Sequence, residues 1–377
     1  MTSLRQVRSA LPVTKRYVYL DHAATGPLPT SAVEAVQSST SEKIYGNMFW
    51  EYWERTAERT RRSIATLLNA SSEEIALVPN TSEGLGIVAN GLNYKPGDNI
   101  VTSNLEFTSN LFVWQVLCER YNMEFRVVRA KGETLELADF QKMVDTKTRI
   151  VAISHVQYSN GFRIDLEELC RIAHENGAYV AADAVQSVGA MRVNVRHLDV
   201  DFLASSGYKW LLSPMATGFL FVKRSLIEVL HPSIVGYRSA FNPSDFQFQD
   251  FKPARSARRF EHGQLNFPGF AGMLQSILLL RKFGIQKLES RIRNLTDQII
   301  DGVERIPDLE VVSSTDDNHR SGIVKLSCRN PDILEKKLRS KGIITSVRAG
   351  GLRISPHFYN SQHEIEYLLN TLKHTKE

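Results

Sequence analysis

Between residues 75 and 225 the chain repeats one unit, a short apolar run rich in β-branched residues followed by an amphipathic stretch. The apolar runs are "IALVP" (75–79), "NIVTS" (99–103), "FRVVRA" (125–130), "RIVAIS" (149–154), "AYVAAD" (178–183), "DFLAS" (201–205) and "GFLFVK" (218–223). Several are apolar at almost every position, the pattern of strands covered by helices on both faces. Between them lie "SNLFVWQVLCERY" and "DLEELCRIAHENG", the second opening on Asp165 as a cap and closing on Gly177. Alternating β and α elements of this kind demand a mostly parallel sheet, so the fold class is α/β. In such sheets ligands gather at the carboxyl ends of the strands.

A chain of 377 residues is too long for one simple core, and the pattern does change after about residue 230. Residues 231–268 carry Pro232, Pro243, Pro253 and Pro268 and read as loop. A long helical region (270–305) follows, then strands "LEVVSS" and "GIVKLSC", a helix "DILEKKLRSKG", the strand pair "IITSVRAGGLRIS" and a final helix from about 361. These predict a large domain over 21–249 and a smaller α/β domain made of 1–20 and 250–377. The helix "SAVEAVQSS" fits against either one.

The charge balance, 46 basic and 41 acidic residues, is close to even and the charges are spread out. The one basic cluster, "KPARSARRF" (252–260), contains a proline, lacks interleaved aromatics and reads as a solvated loop, so no nucleic-acid partner is expected. Cys118, Cys170 and Cys328 lie far apart without CxxC spacing, which argues against a metal site or a disulfide framework. The first twenty residues hold no continuous apolar segment, and no stretch approaches the length of a membrane span. A cytoplasmic protein without a membrane partner is expected.

Three constellations carry chemistry. In "VPNTSEGLGIV" (78–88) a strand ends and Asn80-Thr81-Ser82 opens a helix, where free N–H groups and hydroxyls form either an ordinary cap or an anion site. In "AYVAADAVQSVG" (178–189) Asp183 ends an apolar strand, where a carboxylate is costly unless paired. It caps the next helix or pairs with a cationic ligand nitrogen. In "DFLASSGYKWLL" (201–212) Lys209 stands between Tyr208 and Trp210 at the end of another strand. A lysine there either snorkels to water or is desolvated into a nucleophilic amine. A parallel sheet points Ser82, Asp183 and Lys209 into one crevice. Phosphate donors, a buried acid and a buried lysine are the parts that hold pyridoxal 5′-phosphate.

With these motifs in hand the chain resembles the class V aminotransferases, fold-type I pyridoxal-phosphate enzymes that include cysteine desulfurases, isopenicillin N epimerase-like proteins and kynureninases. The resemblance runs from "YVYLDHAATGPLP" to "LRISPHFYNSQHEIEYLLNTL" and is most specific in "ADAVQSVG", "DFLASSGYKW", "RFEHGQLN" and "LRISPHFYN". It implies a large domain with a seven-stranded sheet and a homodimer. It makes Lys209 the Schiff-base lysine and the proton carrier at the substrate Cα. Asp183 would pair with the ring nitrogen and Gln186 with the phenolic oxygen, while Thr81, Ser82 and Ser206 hold the phosphate. Arg353 would grip the substrate α-carboxylate, and Gln264 would reach the neighbouring subunit's phosphate. His22 and Arg238 are further substrate-side candidates.

The chain departs from the desulfurase pattern. Phe107 stands where desulfurases carry a stacking histidine, Tyr208 replaces a phosphate-binding histidine, and Tyr158 falls where an asparagine is expected. "SVRAGGLRIS", just before Arg353, is short and lacks the cysteine that desulfurases use. These departures disfavour a desulfurase and leave an aminotransferase as the expected activity. An epimerase, a C–S lyase or a kynureninase-like lyase is the alternative, and a non-catalytic binding module the reading from another class. The aromatics of "TSEKIYGNMFWEYW" (40–53) and the loop 231–262 either line the substrate pocket or pack a dimer.

Overall fold

The computed structural model describes residues 3–245, 247 and 250–374. The seven expected strands form one sheet in the order Ile75–Val78, Gly218–Val222, Phe202–Ser206, Tyr179–Asp183, Thr148–Ser154, Asn99–Ser103, Glu124–Val128. Gly218–Val222 runs against both of its neighbours, and the remaining strands share one direction. It reverses because residues 207–217 make a helix-free connection, too compact to carry the chain back for a parallel crossover.

Alternate residues of each strand enter opposite cores, as the two-residue period of a strand requires. Ala76, Ile100, Ile150 and Ala152 pack with Leu85, Val88 and Trp114 of the helices Thr81–Gly91 and Phe112–Tyr121. Leu77, Val101, Val151 and Ile153 face the other way, in a core that includes Trp53 and Ile64 of Trp50–Leu68 and Leu169 of Leu166–Glu175.

The expected long helix is two, Phe267–Phe283 and Ile285–Val303, broken at Gly284, whose φ of +99° ends the first. Phe267–Phe283 packs on Thr30–Glu42 and Trp50–Leu68, so the "SAVEAVQSS" helix docks on the large-sheet side. Leu288 and Ile292 still belong to the large core, whereas Leu295 and Ile299 join the C-terminal one. The core therefore changes hands inside Ile285–Val303; the expected boundary at 249 lies outside the described residues.

The C-terminal core backs a four-stranded antiparallel sheet, ordered Ser346–Arg348, Gly351–Ile354, Val324–Ser327, Glu310–Val311. Val18–Tyr19 pairs in parallel with Ile343–Ile344 and delivers residues 20–26 to the junction of the two sheets.

The basic segment 252–260 is not a solvated loop. Arg259 is buried, with Nε donating to the Ala254 carbonyl (2.7 Å) and Nη1 to that of Ile227 (2.8 Å), and Phe260 enters the core. An arginine that satisfies backbone carbonyls looks, in sequence, like one that faces water.

Candidate active site

Lys209 follows the strand Phe202–Ser206 in a tightly held turn. The Gly26 N–H donates to the Tyr208 carbonyl (2.8 Å), and a Cβ on Gly26 would stand 2.1 Å from the Lys209 carbonyl oxygen. On the other side, Gly189 at φ +98° leaves no room for a Cβ, which would meet the Trp210 carbonyl oxygen at 2.5 Å. Contact this close needs glycine. The Lys209 side chain is 9% exposed, and its Nζ lies 5.8 Å from the Phe107 ring centroid and 5.7 Å from that of Tyr208. Burial pulls its proton affinity down to about 8; Asp183 opposes this, while Arg353 and Arg348 reinforce it.

Asp183 ends the neighbouring strand and is buried at the same edge. Its Oδ1 accepts the Val185 N–H (2.8 Å), the local turn bond that a cap reading predicts. Burial nevertheless drives its carboxyl up to about 7, with Val185 and Lys209 pulling down and Glu106 pushing up. A buried amine and a buried acid have thus moved toward each other in proton affinity. Gln186 is held at both ends of its amide: Nε2 donates to the Ala23 carbonyl (3.0 Å) and Oε1 accepts the Trp210 indole N–H (2.8 Å).

The other expected cofactor contacts come from neighbouring strand ends. Asn80 caps the helix Thr81–Gly91, accepting the Glu83 N–H, and Ser82 stays exposed at its first turn. Ser206 Oγ accepts the Thr81 N–H (2.9 Å) and lies 3.0 Å from the Thr81 hydroxyl. Phe107 is 43% exposed, and its ring meets that of Tyr158 edge-on at 5.1 Å. Tyr208 is half-buried; burial and Asp183 both raise its hydroxyl.

Arg353 comes from the small sheet. Its guanidinium is 1% exposed, donating through Nη1 to the Tyr158 carbonyl (2.7 Å) and through Nη2 to Asp21 Oδ1 (3.2 Å) and Ser346 Oγ (3.1 Å). Its buried Nε has no partner among the described residues. An orphaned cationic N–H is costly, and a carboxylate would satisfy it.

Two substrate-side candidates are accounted for by packing. His22 is fully buried, with Nδ1 against the Ser355 carbonyl (2.8 Å) and Nε2 against the Tyr359 hydroxyl (2.6 Å), and burial drives its proton affinity well down. Arg238 forms an ion pair with Glu54 and stands 3.7 Å from Glu261, beside the helix Trp50–Leu68. Gln264 is exposed and accepts the Tyr237 hydroxyl (2.9 Å). Two residues that sequence reasoning missed are Asp21, which steadies Arg353, and Glu106, fully buried between Ser103 and Ser154. Asp21 lies in "YVYLDHAATGPLP" without a role assigned to it, and Glu106 resembles a turn carboxylate facing water.

The cysteines stand apart from Lys209. Cys118 packs among Trp114 and Leu117, and burial lifts its thiol to about 11. Cys170 is in the core beneath the large sheet. Cys328 packs on the C-terminal core with Leu326 and Leu352, the face of the small sheet opposite Lys325 and Arg353.

A protein-family model described as "Aminotransferase class-V" matches residues 18–368. The chain belongs to the class V aminotransferase family. Among its relatives is a probable cysteine desulfurase of Methanothermobacter thermautotrophicus, 33% identical over 97% of this chain and 96% of that protein. Another from Pyrococcus abyssi is 30% identical over 97% and 96%. The apo structure of a cysteine desulfurase from Thermococcus onnurineus superposes with a TM-score of 0.89 at 27% identity, covering 99% of this chain and 98% of that one. Homologues of this class V fold bind pyridoxal phosphate. One is a C-DES variant with glycine covalently linked to its PLP, which shares the fold at 22% identity and a TM-score of 0.91.

These relatives correct the expected activity. Transamination loses its place as the leading reading, since the relatives named here are cysteine desulfurases. Phe107 and a loop without cysteine had counted against that chemistry, yet a class V chain with both matches such enzymes over nearly its whole length.

Proposed function

We propose that this chain is a pyridoxal-phosphate enzyme that breaks the carbon–sulfur bond of a cysteine-class amino acid. The observation that carries the cofactor is the convergence of Lys209, Asp183 and Arg353, two of them shifted toward neutrality and one with an orphaned donor. The sulfur chemistry is supported by relatives named cysteine desulfurase that align with almost the entire chain.

Bound there, the cofactor supplies an aldehyde for the amino group and an electron-withdrawing ring that acidifies the Cα–H bond. Lys209 Nζ would be the attachment point and is the base placed to take the Cα proton. With its proton affinity near 8, a usable fraction is free base at neutral pH. Asp183 holds the proton of the ring nitrogen, and Gln186 has a second amide hydrogen for the ring oxygen. Thr81, Ser82 and Ser206 donate to the phosphate at the helix N-terminus, where the dipole favours anions. Phe107, Tyr158 and Tyr208 would hold the ring beside Lys209. Arg353 takes the α-carboxylate through its unpartnered Nε–H. The homodimer belongs to the same proposal: Ile44, Tyr45 and Met48 expose apolar surface, and Gln264 is free to reach a second copy.

The test is to mix the cofactor-loaded protein with L-cysteine and with L-cystine, then quantify sulfide, persulfide, alanine and pyruvate. Sulfur release matched by alanine or pyruvate is the expected result. Absence of sulfur release from both, with Cα deuterium exchange intact, would overturn the reading.

A further inference from the structure

Glu106 has no part in the chemistry above, yet its surroundings are built for an anion. It is 7% exposed in the turn after Asn99–Ser103. Its Oε1 accepts from the Ser154 N–H (2.9 Å), Gln157 Nε2 (2.6 Å) and Ser103 Oγ (3.3 Å). Its Oε2 accepts from Asn110 Nδ2 (2.7 Å) and Ser154 Oγ (2.6 Å). The Asn110 amide cannot be turned round, because its Oδ1 accepts the Trp114 indole N–H (3.0 Å). Three of the five contacts come from groups that can only donate, the Ser154 N–H and the Gln157 and Asn110 amide hydrogens, and these favour the ionised form against the burial that raises the proton affinity.

The position matters as much as the charge. The next residue is Phe107, whose ring stands over Lys209, and Gln157 precedes Tyr158, whose ring meets Phe107 and whose carbonyl holds Arg353. Ser154, bonded twice to Glu106, is the cross-strand neighbour of Asp183. One carboxylate thus ties together the turn that carries Phe107, the turn that carries Tyr158 and the strand beside Asp183.

We propose that Glu106 is a positioning residue of the site, an ionised carboxylate that locks Phe107 and Tyr158 into one wall over Lys209 and places a fixed negative charge beside Asp183. The charged groups that act on Asp183 are Lys209 and Glu106, with the Tyr208 hydroxyl nearby, and Glu106 is the one that strengthens its hold on a proton. This rests on Lys209 and Asp183 as the cofactor-holding pair, not on the sulfur chemistry.

Glu106→Gln keeps the size and removes the charge. In apoprotein labelled with carboxyl-¹³C aspartate, with the Asp183 signal assigned through Asp183→Asn, its titration should move down by about half a pH unit or more. In the loaded protein the visible circular dichroism of the cofactor, which reads ring orientation, should fall by about half, an effect of the lost wall. Should Glu106→Gln not fold, Gln157→Met removes one donor and keeps the charge; it should still weaken the dichroism. A folded Glu106→Gln with Asp183 titration and dichroism both unchanged overturns the proposal, as does an unchanged dichroism in Gln157→Met. Wild-type protein that fails to release sulfur but shows these shifts would sink the proposed activity alone.

Discussion

Two clusters of buried charge in this molecule are treated differently. Around Arg61 every charge has a partner. Glu261 accepts from Arg61 and from the Leu77 N–H (2.8 Å), Arg61 Nη1 also donates to the Ile75 carbonyl (2.7 Å), and Arg238 pairs with Glu54. The neighbouring carboxylates raise the guanidinium proton affinities there, although Arg238 Nε has no hydrogen-bond partner among the described residues. At the edge of the large sheet Lys209 is lowered and Asp183 raised, and Arg353 keeps an unused donor. What separates the clusters is the direction of the shifts: carboxylates hold the arginines charged in one, whereas burial moves Lys209 and Asp183 toward neutrality in the other, the mark of a functional site. Arg238, a substrate-side candidate on sequence, falls in the paired cluster.

The sharpest way to separate the clusters is to remove one member of each. Lys209→Ala should lower turnover by about 10³-fold or more, since both attachment and proton transfer go, while the melting temperature holds. A variant that keeps a tenth of wild-type turnover would return Lys209 to the structural class. Glu261→Gln should do the reverse. Arg61 then keeps only the partly exposed Glu58 as counter-charge, so the change should cost about 3 kcal/mol in a urea titration, with kcat per folded molecule unchanged.

Asp183 tests the same distinction through pH. Its folded proton affinity, about 7, lies above the ordinary carboxylate value, so the native state binds more protons between about pH 4 and pH 7. That contribution to stability is present at low pH and lost as pH rises through 7. Apo Asp183→Asn should therefore melt above wild type at pH 8, and the gap should close by pH 4; a constant gap contradicts the assignment. Arg353→Lys keeps charge but loses the Nε–H and the bonds that fix the guanidinium, so KM for the amino acid should rise about tenfold with kcat nearly held. The smallest effect belongs to Cys328→Ser. Its thiol sits on the far face of the small sheet, and sulfur release measured with excess external thiol should stay within about twofold of wild type.

Much of this was written in the chain order. Apolar runs at strand length could form only a covered sheet, and Lys209, Asp183 and Ser82 follow strands of one direction, so they share an edge. What composition could not show was which polar residue faces water, because a turn carboxylate and a buried one look alike in sequence. Glu106, Asp21 and Arg259 each resemble a solvent-facing residue in sequence, yet all three are buried. Activity was misjudged for a related reason. Phe107 and the short loop before Arg353 are local departures from the desulfurase pattern, while the bulk of the chain matches such enzymes.

The sequence by itself determined the sheet, the order of its strands along the chain and the lysine at its edge, because hydrophobic period and turn residues act locally. Only the tertiary structure decided which charges are paired and which wait for a ligand. Pairing is a matter of distance across the fold: Arg353 meets Asp21, Glu261 meets Arg61, and Glu106 meets Ser154 through contacts far apart in sequence.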